Sequence, residues 1–540
     1  RLTVRVELSD ADVDAVIRQV ILAKKPEAKA PVEQVMQTNL GEISRHLAGT
    51  TIGHRGDDIQ FFPQDYPILP VRRRFWENTL RVLDQTGTDS QLRNQLSMIH
   101  KVIQTNVDAP VGSVVPADYL YFDAADKLLQ SRILPRKGSA PRIVICGGGW
   151  GGLTAARYLR ELIPNSDVVV LERNPTFWSG PMSNKWLIDI VNTDFVNRDM
   201  LHPANKYGYQ LLQTEVTGFE RDKKLVRTAH GLIEYDYLIL SGGIRNDYEA
   251  WFGNDQKAID YTRKHFPNAY IPNQEMFALK QKVKNFKGGT LVMTLPPPPH
   301  RCPPSPYERA CLIAWHIKKN KIPGKILILD PKPKIAPIGV GYKQAFEELY
   351  PDIITHVPNA RVQELDPFKK KIKTAAGEFD FDDAILMPPH QAAEMVWAAD
   401  LIGKTPEGKP TGWADMDVRY FTAKGDDRVY FVGDLMGAIS DQFGHYPKSA
   451  HVANYIGRIV AKNIAQRVAG QEVTPLLPDN LCYMMVNGDP QEEISVKFEY
   501  EVDPTGKVIQ TQIDMDVRTP DLVKEDFAWI NSRFSDFLGI

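Results

Sequence analysis

The sequence predicts a doubly wound α/β protein preceded by a mostly helical segment, on three observations. From residue 142 onward, short β-type apolar runs alternate with helical patterns, the signature of βαβ units. The first run, Arg142-Ile143-Val144-Ile145-Cys146, leads directly into the glycine loop Gly147-Gly148-Gly149-Trp150-Gly151-Gly152. Before residue 130 the chain lacks that alternation and its apolar residues fall mainly at helical spacing.

At 540 residues the chain is expected to hold three or four domains, at roughly 150 residues each. Lys+Arg (65) nearly balances Asp+Glu (67), leaving a net charge of −2. That balance argues against a protein built to coat nucleic acid or an anionic membrane. No apolar run is long enough for a transmembrane helix. Four cysteines cannot form a secreted-type disulfide framework in a chain of this length, although they can be catalytic. The chain opens on Arg1 without an apolar leader, so a processed chain is expected.

Taken in order, residues 1–8 alternate as a strand, and Ser9 reads as a cap for an amphipathic helix over 10–24. Further helices are expected at 75–85, 91–105 and 117–131, with a loop at 49–71 that carries Phe61, Phe62 and Tyr66. Residues 1–130 contain no metal-ligand or catalytic spacing and no Cys-x-x-Cys-His haem motif. A polar Pro- and Gly-containing linker, 131–140, follows.

Gly147, Gly149 and Gly152 satisfy G-x-G-x-x-G, and the context supports the motif. A strand precedes it, and Leu153 to Ile163 reads as a helix stopped by Pro164. Such glycines permit a tight turn and let backbone N–H groups approach a pyrophosphate at the helix N-terminus. Trp150 lies inside this loop. A second strand, Val168–Leu171, ends at Glu172, placed to accept hydrogen bonds from a ribose, with Arg173 beside it. Two later strands run into small-residue turns: Tyr237–Leu240 into Ser241-Gly242-Gly243, and Val429–Val432 into Gly433-Asp434. The Asp434 carboxylate is then a candidate for a ribityl hydroxyl. These three segments resemble the two-dinucleotide-domain flavoprotein superfamily, and the resemblance implies FAD.

In NAD-linked members of that superfamily a second glycine loop lies mid-chain. Here the corresponding strand, Thr290–Leu295, is followed by a segment from Pro296 to Pro306 with seven prolines and no glycine. Proline offers no N–H to a phosphate and fixes φ near −65°, so no NAD(P)H site is expected, although a βαβ scaffold remains with a strand at 325–329 ending in Asp330. Cys302 stands in this loop just before a helix, Tyr307–Lys319, whose N-terminus favours a thiolate. On these residues alone, a small buried hydrophobe is the favoured reading of Cys302.

Further segments bear on that choice. Arg301-Cys302-Pro303-Pro304-Ser305-Pro306-Tyr307-Glu308-Arg309, Pro447-Lys448-Ser449-Ala450, Asp479-Asn480-Leu481-Cys482-Tyr483, Glu493-Ile494-Ser495-Val496 and the stretch from Trp529 to Gly539 resemble the flavoprotein subunit of flavocytochrome c sulfide dehydrogenase. Sulfide:quinone oxidoreductases are the related family. The resemblance covers about residues 141–540. It implies a flavoprotein of the disulfide-reductase type: an FAD-binding domain in two parts (141–255 and 391–470), a second Rossmann-like domain (256–390) and a C-terminal α+β domain (471–540).

The resemblance also implies the site. Cys302 and Cys482 form a redox-active disulfide, and Glu308 is a candidate acid/base. Gly147, Gly149, Gly152, Glu172 and Asp434 contact FAD, and Lys448 lies where a helix N-terminus faces the flavin ring. Hydrosulfide opens the disulfide to a persulfide, the other cysteine engages the flavin as a thiolate, and the electrons leave singly to a c-type cytochrome. The small sulfur substrate and a periplasmic location come from the same resemblance.

Two departures stand out. Gly180 occupies the position of the cysteine that attaches FAD in the family, so FAD is expected to be non-covalent. Residues 1–130 have no counterpart and are a candidate docking segment; aromatics such as Phe61, Phe62, Tyr119, Tyr121 and Phe122 could serve it, although core packing is the favoured reading of them. A quinone reductase would need an apolar C-terminus, whereas residues 496–540 are rich in charge. Cys146 and Cys311 read as structural.

Overall fold

The computed structural model describes residues 15–39, 55–83, 88–116, 119, 140–229 and 231–540. These fall into two compact units. One is made of the described residues before 136 with Gly231 and Leu232, and the other of the remainder.

The first unit is helical. Its helices are α1 (Pro26–Thr38), α2 (Pro70–Leu83) and α3 (Thr88–Thr105), with a short π-helical turn at Ile17–Ile21. Pro26 and Pro31 obscured α1 in the sequence, yet Pro26 sits in the first turn, where its missing N–H costs nothing. The expected loop at 49–71 contains helical turns at Gly56–Phe61 and Phe62–Asp65. Ile17, Ile68, Trp76, Ile99 and Val102 form one apolar cluster, and Val32, Met36, Phe62 and Leu69 another. Phe62 is therefore core and not a docking side chain, and Phe61 lies under the Arg18 guanidinium. The expected strand at 1–8, the helix at 117–131 apart from Tyr119, and Tyr121 and Phe122 lie outside the described residues.

The second unit opens with β1 (Arg142–Cys146), α4 (Trp150–Leu162), β2 (Asp167–Glu172), β3 (Gln210–Gln213) and β4 (Tyr237–Leu240). β1 is buried along its whole length, as an interior parallel strand must be. It pairs in parallel with β2, Ile143 opposite Val168, and with β4, Ile143 opposite Tyr237. A second parallel sheet is built from β5 (Gly289–Thr294), β6 (Gly324–Leu329), β7 (Ile354–Val357) and β8 (Asp383–Leu386), in the order β7-β6-β5-β8. α5 (Ser305–Lys319) connects β5 to β6.

The chain then returns to the first sheet with β9 (Thr422–Ala423) and β10 (Asp426–Phe431), completing the order β9-β10-β4-β1-β2-β3. α6 (Ala450–Val468) packs on α4, where a Cβ on Gly457 would lie 2.6 Å from the Gly151 carbonyl oxygen. Three antiparallel strands, β11 (Asn480–Gly488), β12 (Gln491–Val502) and β13 (Val508–Thr519), and the helix α7 (Pro520–Phe537) end the chain. The loops at the C-terminal ends of β1, β2 and β4 converge where an open α/β sheet binds ligands.

Candidate active site

The glycine loop turns sharply out of β1. Gly147 has φ +113°, and a Cβ there would sit 2.6 Å from the Ser241 carbonyl oxygen. A Cβ on Gly152 would lie 1.9 Å from the Gly147 carbonyl oxygen, so the first helical turn closes only on glycine. Gly149, the residue before α4, faces open space: a Cβ there meets no atom within 4 Å. The helix N-terminus is thus bare on the side where a phosphate would approach. Glu172 receives the Gly148 N–H at 2.6 Å on one oxygen, and the Asn174 backbone and side-chain N–H groups on the other.

These residues line one cavity of about 480 Å³, within the usual range for a cofactor or ligand site. Gly147, Gly149, Trp150, Glu172, Arg173, Gly242, Gly433, Asp434 and Lys448 all reach its wall, whereas Gly152 lies behind it. Arg173 is half exposed, 3.8 Å from Glu215. Trp150 stacks on Trp529 of α7 and meets Phe534 and Phe537, so its ring belongs as much to the C-terminal packing as to the loop. The cavity fits FAD: it runs from a nucleotide-type glycine loop to the cysteines. Among the described residues, several of its buried lining groups, Thr214 Oγ1, Trp150 Nε1 and Trp178 Nε1 among them, lack a hydrogen-bond partner.

At the other end of the cavity stand Cys302 and Cys482, both half-buried free thiols. Cys302 has φ +46°, a left-handed conformation that costs a non-glycine residue free energy. It is held there by two hydrogen bonds, its own N–H to the Lys448 carbonyl (2.8 Å) and the Ser305 N–H to its carbonyl (3.0 Å), and by a parallel bridge between Arg301 and Lys448. Cys482 on β11 has its sulfur 3.4 Å from Asn480 Nδ2.

The expected thiolate at a helix N-terminus is corrected here. Burial, then the neighbouring Cys482, Glu308 and Asp434, push the Cys302 thiol well above its ordinary value. Burial raises Cys482 to about 11. In this dithiol state both sulfurs hold their protons at neutral pH.

Asp434 lines the cavity, and Arg301 Nε donates to its Oδ2 at 2.5 Å while Arg301 also reaches the Tyr270 carbonyl. Lys448 is buried, donates to the Asp434 and Met436 carbonyls and lies over the Trp413 ring at 3.7 Å. Burial pulls its ammonium down to about 7. Glu308 is buried and accepts from Asn184 Nδ2 (2.7 Å), the Met485 N–H (3.0 Å) and Lys185 (3.4 Å). Asn184, Lys185, Arg301 and Asp526 escaped the sequence reading. They converge from distant parts of the chain and match no spacing rule.

In the second sheet, the acid ending β6 is turned inward. Asp330 is fully buried and is bonded by Tyr307 Oη, His356 (2.9 Å) and Lys332 (3.3 Å). The loop after β5 meanwhile carries prolines where a phosphate cradle needs N–H groups. Cys146 and Cys311 are fully buried in the interior.

Residues 141–271 match the pyridine nucleotide-disulphide oxidoreductase family model. Residues 277–388 match the model for the central part of the sulfide dehydrogenase [flavocytochrome c] flavoprotein chain. Among curated relatives, the sulfide-quinone reductase of Aquifex aeolicus is 24% identical over 48% of this chain and 61% of its own. The mitochondrial sulfide:quinone oxidoreductase of Mus musculus is 22% identical over 54% and 65%. The chain thus spans less than two thirds of either relative. The solved structure of the Aquifex aeolicus sulfide:quinone oxidoreductase superposes with a TM-score of 0.55 at 18% identity, covering 74% of this chain and 92% of that one, which shows the fold. The chain carries the FAD-binding domains of a disulfide-type oxidoreductase, and the matches support a place among sulfide dehydrogenase and sulfide:quinone reductase flavoproteins without singling out the flavocytochrome c subunit.

Proposed function

We propose that this chain is an FAD-dependent enzyme that oxidises sulfide or a related small sulfur compound through the pair Cys302 and Cys482. The observation that supports this reading is that Cys302 and Cys482, 180 residues apart in sequence, line the same cavity as the glycine loop. Bound FAD supplies a two-electron acceptor that can release electrons singly. The protein supplies the sulfur chemistry. In the oxidised enzyme a disulfide joins the pair; hydrosulfide attacks one sulfur, and the other leaves as a thiolate. Glu308 sits beside the pair to exchange a proton, and the Lys448 and Ser305 bonds hold Cys302 in place.

For the acceptor, the match of residues 277–388 to the flavocytochrome c sulfide dehydrogenase model favours a c-type cytochrome. A second reading, transfer to a quinone, is favoured by the named relatives and by β13. That strand exposes Ile513, Met515 and Val517 between its acids, an apolar row that the charge-rich composition of the C-terminus concealed. Among the described residues no helix is long and apolar enough to cross a membrane.

Anaerobic titration of the FAD-loaded protein with sulfide tests the reading. The expected result is bleaching at stoichiometric sulfide, with Cys302→Ser and Cys482→Ser keeping FAD but losing reduction. A wild-type protein that sulfide does not bleach refutes it. Re-oxidation by cytochrome c against a short-chain quinone separates the two acceptors.

A further inference from the structure

Glu308 belongs to a buried cluster whose other members have no role in the proposed reaction so far. Lys185 comes from the short helix Ser183–Leu187, Glu308 from α5, Glu493 from β12 and Asp526 from α7. The Lys185 Nζ lies 2.8 Å from Asp526, 3.0 Å from Glu493 and 3.4 Å from Glu308. No side chain of the four is more than 5% exposed. Three carboxylates around one ammonium leave two uncompensated charges if all ionise, which an interior resists.

The three acids are not equivalent. Glu308 receives three hydrogen bonds, each suited to a carboxylate. Glu493 is fully buried, and among the described residues neither of its oxygens has a hydrogen-bond partner; its contact is the ion pair with Lys185. Burial pushes Glu493 up to about 8, opposed by Lys185 and reinforced by Asp526, and burial raises Asp526 as well. Burial works against the Lys185 ammonium, but Asp526, Glu493 and Glu308 together hold it well above its ordinary value.

The other titratable groups facing the cluster are the thiols of Cys302, Cys482 and Cys311, the phenols of Tyr270, Tyr342 and Tyr483, and Arg309. The Arg309 guanidinium is spent on Asn184 and the Asn268 carbonyl. Glu308 and Asp526 line the cavity, while Lys185 and Glu493 lie behind them. Both lining acids act on the Cys482 thiol.

With one proton shared by Glu493 and Asp526, the cluster carries a charge of −1; a second proton makes it neutral. We propose that Glu493 and Asp526, organised by Lys185, form a buried proton store that holds one proton at rest and takes up a second, entering from the cavity through Asp526, when the sulfur substrate is oxidised at the cysteine pair. The inference rests on the sulfur-oxidation reading.

The step balances. The disulfide is the oxidant: HS⁻ + Cys–S–S–Cys → Cys–S–SH + Cys–S⁻, and the persulfide then ionises, Cys–S–SH → Cys–S–S⁻ + H⁺. Attack forms a new S–S bond and breaks the cysteine disulfide, giving a persulfide and a thiolate. The persulfide S–H then breaks, and its proton passes to Asp526 and Glu493. The electron pair rests on the leaving cysteine thiolate, from which bound FAD would later withdraw it.

Infrared spectra of the FAD-loaded protein, recorded across pH 5.5–9.5 without sulfide, test the store. The expected result is a carboxylic acid C=O band that fades around pH 8, is lost in Glu493→Gln and persists in Glu493→Asp. Asp247 and Glu275 also carry raised carboxyls, so the variants assign the band. No band titrating above pH 7 in the wild type overturns the store, as does a band indifferent to both Glu493→Gln and Asp526→Asn. If Glu493→Gln fails to fold, the wild-type titration and Asp526→Asn decide. Because sulfide takes no part, a flavin that sulfide does not bleach refutes the proposed function while leaving the infrared result to decide the store.

Discussion

Replacing Glu493 with glutamine keeps the shape of the side chain and removes its titration. Glu493 is fully buried against Lys185, and burial raises its carboxyl from an ordinary 4.5 to about 8. A carboxyl raised in the folded state favours the protonated fold. Its contribution is complete below the unfolded value and is lost as pH climbs through the folded one. Between pH 5 and 8 the folded wild type retains a proton that the unfolded chain has released. One such proton over three pH units corresponds to about 4 kcal/mol. Asp526, raised in the same direction, shares the effect, so the figure is an order of magnitude. Wild-type stability is therefore expected to fall from pH 5 to pH 8 by several kcal/mol more than that of Glu493→Gln. Calorimetric melting of both proteins, FAD-loaded, at a series of pH values reads this as a gap that narrows or inverts as pH rises. A pH-independent difference between the two melting curves would refute the reasoning, since no proton would then separate the folded and unfolded forms at this site.

Two further outcomes concern the cofactor. Gly180 lines the cavity and a Cβ there meets nothing within 4 Å, so acid precipitation should release all FAD into the supernatant, and a yellow pellet would show a covalent link elsewhere. With Asp330 engaged by Tyr307, His356 and Lys332, and prolines after β5, neither NADH nor NADPH should bleach the flavin, which absorbance at micromolar reductant checks.

The parallel-sheet half of the fold was legible because its signals are local. β1, the glycine loop and β2 are contiguous, and each states its own geometry through apolar runs and glycine. The helix after the loop begins at Trp150, three residues earlier than its apolar pattern implied, because glycines fill its first turn. The helical unit was harder to read: Pro26 and Pro31 masked α1, although Phe62 is core, the favoured reading of the aromatics there. In the site, Cys302 and Cys482 emerged through resemblance and not through spacing. Lys185, Glu493 and Asp526 could not emerge at all, because a buried charge cluster is assembled by packing of elements up to 341 residues apart. The protonated state of the thiols was likewise invisible, since the helix N-terminus is local and the burial that overrides it is not.

The hydrogen bond from the Cys302 N–H to the Lys448 carbonyl and the short bridge between Arg301 and Lys448 join the loop of the second sheet to the segment leading into α6. They act as a clasp between the two nucleotide-type folds, closed at the very residue that carries the thiol. A hinge opening between those folds would have to undo the clasp before anything else moved. With the backbone held in this way, rotation about the Cα–Cβ bond is the freedom left to the Cys302 sulfur while the clasp stays closed.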